Sequence, residues 1–338
     1  MSDPRGFFFQ RRTWGNMRKI GVMVLAAGLA LAAAGALAQG AYPSKPIKVI
    51  VSFGPGGVTD VLARLLAPEI QKAWGQPVVV ENVAGATAII GTSAVARAAP
   101  DGYTLLFTSN AHTINPALRK QLPFDTVRDF TPITLIAASP NMLVVRTDTN
   151  IKTVADYIAA AKAKPGEITY AFSGIGTSLH IAGEQFSQIT GAKYNAIPYK
   201  TSAESIQAVV AGQTISSWSA VNSALPFIKS GRVRALAVAD DKRTAFAPEV
   251  MTFGEQGVQG MKSETWLAVL APANLPAPIA AKLSAEFASV IARPDIKEKI
   301  HNLGAEPVGI ELERFAALIR DEIEMYRRIV QAGGIKPE

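Results

Sequence analysis

From Tyr42 onward, short runs of apolar and β-branched residues alternate with longer stretches whose apolar positions recur at helical spacing. Ile47-Lys48-Val49-Ile50-Val51 predicts a buried strand, followed by Gly54-Pro55-Gly56-Gly57 and an amphipathic helix over Thr59 to Trp74. Pro68 lies inside that helix and is expected to kink or restart it. Gly75-Gln76-Pro77 closes it, and Pro77 to Val80 reads as the second strand. Further strands are predicted at Thr104–Phe107, Asn141–Val145, Ile168–Ala171, Val233–Val238 and Trp266–Leu270. A helix over Thr153 to Ala163 is capped by Thr153 and closed by Pro165-Gly166. Ser173 to Ser178 forms a glycine-containing turn into another helix, and the tail from Pro276 reads as helices with one turn at Gly304–Pro307. Strands alternating with helices predict an α/β fold with mainly parallel sheets.

The N-terminal texture is different. Arg11, Arg12, Arg18 and Lys19 precede an unbroken apolar stretch from Ile20 to Ala38, which ends in Ala36-Leu37-Ala38. A basic region, an apolar core and a small-residue exit describe a secretory leader, with cleavage expected after Ala38. Nineteen apolar residues approach a membrane span, but the run is rich in Ala and Gly and ends in a cleavage pattern. Met17-Arg18-Lys19 makes a complete basic region by itself, so Met1 and Met17 both stand as starts.

The leader changes how charge is read. The chain carries +7, of which residues 1–38 hold five cations and one acid, leaving +3 for residues 39–338. No run of five like charges follows the leader, which argues against nucleic acid as a partner; a mildly positive surface favours a small anion. There is no Cys, so disulfides, thiol catalysis and thiolate metal sites are excluded together. His112, His180 and His301 show no metal-ligand spacing, and neither a metal nor a cofactor is expected. The 300 residues after Ala38 are ample for a core and suggest two domains joined by crossovers, since no polar linker divides them.

Two loops share one design: strand, glycines, hydroxyl residues, helix. The first is Phe53-Gly54-Pro55-Gly56-Gly57-Val58-Thr59-Asp60 and the second Ser173-Gly174-Ile175-Gly176-Thr177-Ser178-Leu179-His180. Glycine lets backbone approach a ligand, and a helix start offers free N–H donors, which suits a carboxylate or phosphate. Neither loop has the lysine of a P-loop or the third glycine of a dinucleotide fingerprint. Such turns are also common where nothing binds, and the pair is more informative than either. Asp60 is expected to serve the helix start, because a carboxylate would repel an anion. His180 reads equally as an anion contact or as a partly buried histidine. Ser109, Asn110 and His112 follow a strand and are candidates to line the same cleft, and His301 reads as surface. Trp218 and Trp266 are candidates to close over an aromatic ligand, or core residues.

A longer string of motifs is more specific. Tyr42-Pro-Ser-Lys-Pro-Ile47, Phe53 to Asp60, Gly75-Gln-Pro-Val-Val-Val-Glu-Asn82 and Ala99-Pro-Asp-Gly-Tyr-Thr-Leu-Leu106 follow in close succession. Ile114-Asn-Pro-Ala-Leu118, Pro198-Tyr-Lys200, Ser223-Ala-Leu-Pro226 and Gly304-Ala-Glu-Pro-Val308 complete the series. In this order they closely resemble the Bug-type substrate-binding proteins, periplasmic receptors of tripartite tricarboxylate transporters. The resemblance implies a type II periplasmic-binding-protein fold: two α/β domains joined by crossing hinge strands, with a ligand cleft between them. Here the domains would be 39–141 with 263–338, and 142–262. It implies a monomer that grips a carboxylate through Phe53, Pro55, Gly56, Gly57 and Thr59 and the Gly85-Ala86-Thr87 turn. The ligand's second polar end would meet Gly176, Thr177, Ser178 and His180, with Tyr199 and Asn222 nearby. Membrane subunits of such a transporter are the implied partners; one rival reading is a receptor that signals to a membrane sensor kinase.

The chain departs from the family pattern at Val58, where relatives carry Ser or Thr, and at Ala84–Ala88, where they carry more glycine. Thr214 to Ala220 lacks the acids usual in relatives, which would weaken selection for an amine and favour a second carboxylate. A dicarboxylate or an aromatic diacid such as a phthalate isomer is therefore expected. The rival reading, a periplasmic serine hydrolase, lacks a G-x-S-x-G elbow, and Ser178 and His180 lie too close together to imply a triad. No catalytic residue is assigned.

Overall fold

The computed structural model describes residues 42–335. The predicted leader and its cleavage site after Ala38 lie outside the described residues. Among the described residues no helix is long and apolar enough to cross a membrane.

Strands β1 (Ile47–Val51), β2 (Val78–Asn82) and β3 (Thr104–Ser109) are parallel, with β1 in the middle. Helices α1 (Val58–Trp74) and α2 (Ile89–Ala96) follow the first two strands, and α3 (Ala111–Leu118) follows the third. The chain then enters β4, a 17-residue strand from Phe130 to Arg146. A parallel group follows: β5 (Thr169–Ser173) between β6 (Asn195–Tyr199) and β7 (Ser216–Ala220). Helices α4 (Val154–Ala163), α5 (Ser178–Thr190), α6 (Ser202–Val210) and α7 (Val221–Lys229) alternate with these strands. Strand β8 (Val233–Val238) pairs with the end of β4, and β9 (Glu264–Pro272) returns beside its beginning. Helices α8 (Ala277–Ala292) and α9 (Pro294–Asn302), the two-residue β10 (Glu306–Pro307) and helix α10 (Leu312–Ala332) finish the chain.

The sheet is mixed, not mainly parallel. β4 and β9 run antiparallel to each other and to their other neighbours, because each carries the chain from one strand group to the other. The first part of β4 pairs with β9 and the remainder with β7 and β8. The register slips between Pro132 and Thr134 and again between Leu135 and Ala137, the first slip falling at a proline that has no N–H for a ladder.

Side-chain alternation explains why the end of β4 is apolar throughout. Leu143 and Val145 enter one buried cluster with Tyr157, Phe172, Phe186 and Trp218, while Met142 and Val144 enter another with Ile206, Val209 and Val221. A strand covered on both faces needs no polar side. Strand β7 solves the same burial differently. Ser216-Ser217-Trp218-Ser219-Ala220 is buried at all five positions, although apolar pattern gives no hint of a strand there. Its hydroxyls bond inside the core: Ser216 Oγ to Tyr157 OH at 2.7 Å and Ser217 Oγ to Ser219 Oγ at 2.9 Å. Strand β6 was also absent from the predicted set, and β4 extends eleven residues before Asn141.

Helix α1 runs through Pro68 without a restart. Pro68 is exposed, so the Arg64 carbonyl that loses its partner lies on the solvent side. The cap predicted at Thr153 is a reciprocal box: Thr153 Oγ1 accepts from Asp156 N at 3.1 Å, and the Asp156 carboxylate accepts from Thr153 N at 2.9 Å.

Helix α10 buries Phe315, Ile319, Ile323, Tyr326 and Val330 on one stripe, and with them Glu322. Both Glu322 carboxylate oxygens accept from Trp266 Nε1, at 2.9 and 3.0 Å, and Oε2 also accepts from Thr113 Oγ1 at 2.7 Å. Burial nevertheless pushes the carboxyl up to about 7, against those hydrogen bonds, with the Glu264 charge adding to the rise. A folded pKa above the unfolded 4.5 means the native state holds the proton more tightly. Its contribution is therefore full below about 4.5 and is lost as pH rises to about 7, a penalty of roughly 3 kcal/mol. Glu322→Gln should match the wild-type melting temperature near pH 4.5 and exceed it increasingly up to pH 8. Parallel pH curves for the two proteins would show that Glu322 carries no such penalty.

Candidate functional site

Three turns at strand ends make the site. The first follows β1. Gly56 has φ +82, and neither Gly54 nor Gly56 has anything within 4 Å of where a Cβ would lie, so this loop is open to approach. Asp60 is buried beneath it and is spent on the loop itself, as expected. Its carboxylate accepts from Gly56 N at 2.9 Å, Asn82 Nδ2 at 2.9 Å and Arg64 Nε at 2.8 Å. Burial opposes the charge, but the bonds from Gly56 and Asn82 and the Arg64 guanidinium outweigh it and hold the carboxyl below its usual range. The Gly56 N–H assigned to a ligand is thus committed to Asp60. The donors left for an anion are the N–H groups of the first turn of α1, which has no side-chain cap at Gly57. Phe53 uses its carbonyl to hold Asn82, and Pro55 is exposed at the loop's crest.

The second turn joins β2 to α2. After Gly85, three consecutive non-glycine residues are left-handed: Ala86 (φ 46), Thr87 (φ 52) and Ala88 (φ 72). Each costs roughly 1–2 kcal/mol in this region, most for the β-branched Thr87. Side chains from elsewhere hold the turn in place. Asn115 Nδ2 donates to the Thr87 carbonyl at 2.9 Å, and Ile90 packs directly over Gly85.

The third turn follows β5. Thr177 does not present its hydroxyl outward: it donates to the carbonyls of Ser173 and Gly174, both at 2.9 Å, and caps α5. Ser178 is buried and bonds Thr265 Oγ1 at 2.8 Å. His180 stacks on Phe172 with centroids 4.9 Å apart, and burial lowers its pKa against the opposing pull of Glu184. Thr177 and Ser178, assigned to a ligand's second end, spend their hydroxyls within the fold, while the buried His180 Nδ1 has no hydrogen-bond partner. Gly176 is buried against Thr87, Asn115 and Leu118, and the Ile175 carbonyl accepts from Thr87 Oγ1 at 3.1 Å. The second and third turns touch.

Beside this contact lies a cavity of about 590 Å³ lined by Thr87, Ile175, Pro198, Tyr199, Lys200 and Glu204. It unites two sequence candidates, Thr87 and Tyr199, with Lys200 and Glu204, which sequence reasoning passed over. Pro198-Tyr-Lys200 was visible as a motif, but nothing in its composition says that Lys200 is brought opposite Thr87. Glu204 also serves its own helix, accepting from Lys200 N at 3.2 Å.

Other candidates lie elsewhere. His112 is buried between Phe124 and Phe130 with Nε2 on the Thr126 carbonyl at 3.1 Å, and burial lowers its pKa to about 4. Trp266 is a core residue bound to Glu322, and Trp218 is core as well. Asn110 donates to the Glu264 carbonyl at 2.8 Å, and Ser109 accepts from Ala111 N. Asn222 backs onto Gly304, where a Cβ would stand 2.4 Å from its own. Among the described residues no cluster of His, Asp or Glu could hold a metal.

The chain is similar to known proteins over most of its length. Residues 62–335 match the model of the tripartite tricarboxylate transporter family receptor. Protein BugT of Bordetella pertussis is 34% identical over 319 residues, covering 94% of this chain and 97% of BugT. The structure of R. palustris Rpa4515 with adipate superposes with a TM-score of 0.81 at 31% identity, covering 88% of this chain and 100% of the other. MatC from Rhodopseudomonas palustris with bound malate gives 0.75 at 28% identity, with 86% and 100% covered. The α/β architecture with crossing strands is the type II periplasmic-binding-protein fold.

The first two turns are held together by one close approach. Gly91 of α2 lies where an added Cβ would meet the Val83 carbonyl at 2.6 Å and Ser52 Cα at 2.9 Å, both backbone. Gly91→Ala must push the two turns apart, at a cost of about 1–3 kcal/mol. The variant should melt several degrees lower and exchange amide hydrogens faster in 52–58 and 83–88. An unchanged melting point with unchanged exchange would refute the constraint.

Proposed function

The chain belongs to the tripartite tricarboxylate transporter family of receptors, and from that premise we propose that it captures a small organic dicarboxylate outside the cytoplasmic membrane. In this reading it is exported through a leader cleaved after Ala38. It passes its ligand to membrane subunits of such a transporter. The observation that carries the reading is the Thr87–Ile175 contact beside the cavity that holds Lys200 and Tyr199. One carboxylate is taken by the uncapped start of α1 with the neighbouring left-handed turn, where N–H groups and the helix dipole favour an anion. The other meets the Lys200 ammonium. Adipate in Rpa4515 and malate in MatC, both dicarboxylates, support the class.

Selectivity against amines has a different basis from the one sequence suggested. The acid-free stretch Thr214–Ala220 includes β7, buried with its hydroxyls paired in the core, so the missing acids say little about the cleft. Lys200 in the cavity instead offers a cation to a second carboxylate, while Glu204 of the same lining is engaged by the Lys200 backbone N–H. Residues 39–141 with 263–338, and 142–262, act as two lobes in this proposal, and ligand held by both stabilises the closed arrangement.

Thermal-shift screening of residues 39–338 against mono- and dicarboxylates, phthalate isomers and amino acids tests this. A dicarboxylate at about 100 times its Kd should add roughly 2.7 kcal/mol of stability. Lys200→Met should weaken the best dicarboxylate roughly tenfold while changing its monocarboxylate analogue little. A melting point raised by amino acids and by no diacid would sink the proposal.

A further inference from the structure

A second concavity, of about 700 Å³, lies between α10 and the segment that leaves the end of α3. Arg119, Lys120 and Arg128 line it from one side and Arg320 and Arg327 from the other. Two carboxylates share the lining, and each is engaged locally: Asp125 with Arg128 at 2.9 Å, and Glu324 with Arg327. Lys120 and Arg320 are exposed, with no carboxylate in ion-pair reach among the described residues. Among the described lining residues, five cations stand with two acids. The apolar floor is Leu122, half-buried, and Val127, 43% exposed, lying over the buried Phe124 and Ile323.

We propose that this groove is a docking site for an acidic peptide segment of a partner protein, one whose carboxylates meet Lys120, Arg320 and Arg327 while its apolar side chains cover the floor. Cations on two opposed walls with an apolar base match an extended amphipathic chain better than a compact ion. Arginine is suited to paired recognition of carboxylates. The groove also lies back to back with the turns of the cleft. Helix α3 gives Pro116 to the groove, whereas its Asn115 holds the Thr87 carbonyl and its Leu118 packs on Gly176. A partner seated here contacts the helix that the second and third turns share. The proposal does not rest on the dicarboxylate reading.

Fluorescence anisotropy with a labelled peptide of alternating Glu and Leu tests it on residues 39–338. Lys120→Glu/Arg320→Glu/Arg327→Glu should weaken binding at least about tenfold. A control of equal charge change, Lys152→Glu/Lys229→Glu/Lys297→Glu, should bind within about twofold of wild type. Both variants should keep the wild-type melting point to within a few degrees. No binding by the wild type, equal weakening by both variants, or displacement of the peptide by millimolar phosphate at constant ionic strength would each overturn the proposal. The last result would make the groove a small-anion site instead.

Discussion

Everything else in this molecule is arranged around the antiparallel pairing of β4 with β9. These strands run side by side from Phe130–Pro272 to Pro140–Glu264, and beyond that point β4 continues into the second strand group. The crossing is polar where the two groups meet. Asn141 donates to Ser263 twice, from backbone N to the carbonyl (2.9 Å) and from Nδ2 to Oγ (2.8 Å), and its Oδ1 accepts from Thr265, which in turn meets Ser178. Each hydroxyl or amide there has a partner, so the burial that a crossing imposes does not leave unmet polar groups. The third turn of the site is tied to this network through Ser178, and that fixes where Ile175 and Gly176 lie.

The site is built from backbone more than from side chains. Polar side chains are consumed in shaping the turns: Asp60 braces the first, Asn115 the second, and Thr177 the third. A rigid turn that points N–H groups outward suits recognition of a carboxylate, since donors fixed beforehand cost little to order on binding. The left-handed run at Ala86–Ala88 belongs to the same logic. It is strained, and it persists because Asn115 and the Ile175 carbonyl hold Thr87 from two directions.

Helix α3 links the features that matter for function. Its buried side packs with Ile181 of α5 and with Tyr326, Ile329 and Val330 of α10, one cluster joining segments far apart in sequence. Because cores are close-packed, a shift of α3 is felt at once by the turns it touches and by the basic groove on its other side.

Much of this was legible in the sequence. The strands at Ile47–Val51 and Val233–Val238, the capped helix at Thr153 and the glycine-bearing turns follow from local periodicity and local stereochemistry, which neighbouring residues decide. So does the class of the fold, since alternation of strand and helix leaves few packings open. Strand β7 was not legible, because a serine-rich strand is stable in a core only when Tyr157 and Ser205 come to meet it. The roles of Thr177, Ser178, His112 and Trp266 were not legible either. A polar side chain near a glycine turn reads the same whether it faces a ligand or caps a helix, and the choice depends on partners distant in the chain. Lys200 opposite Thr87, and Lys120 opposite Arg320, are juxtapositions of the same kind. The sequence by itself determined most of the strands, helices and turns, because those preferences are set within a few residues. Only the tertiary structure decided which polar groups remain free to act, because that depends on long-range contacts that no local pattern encodes.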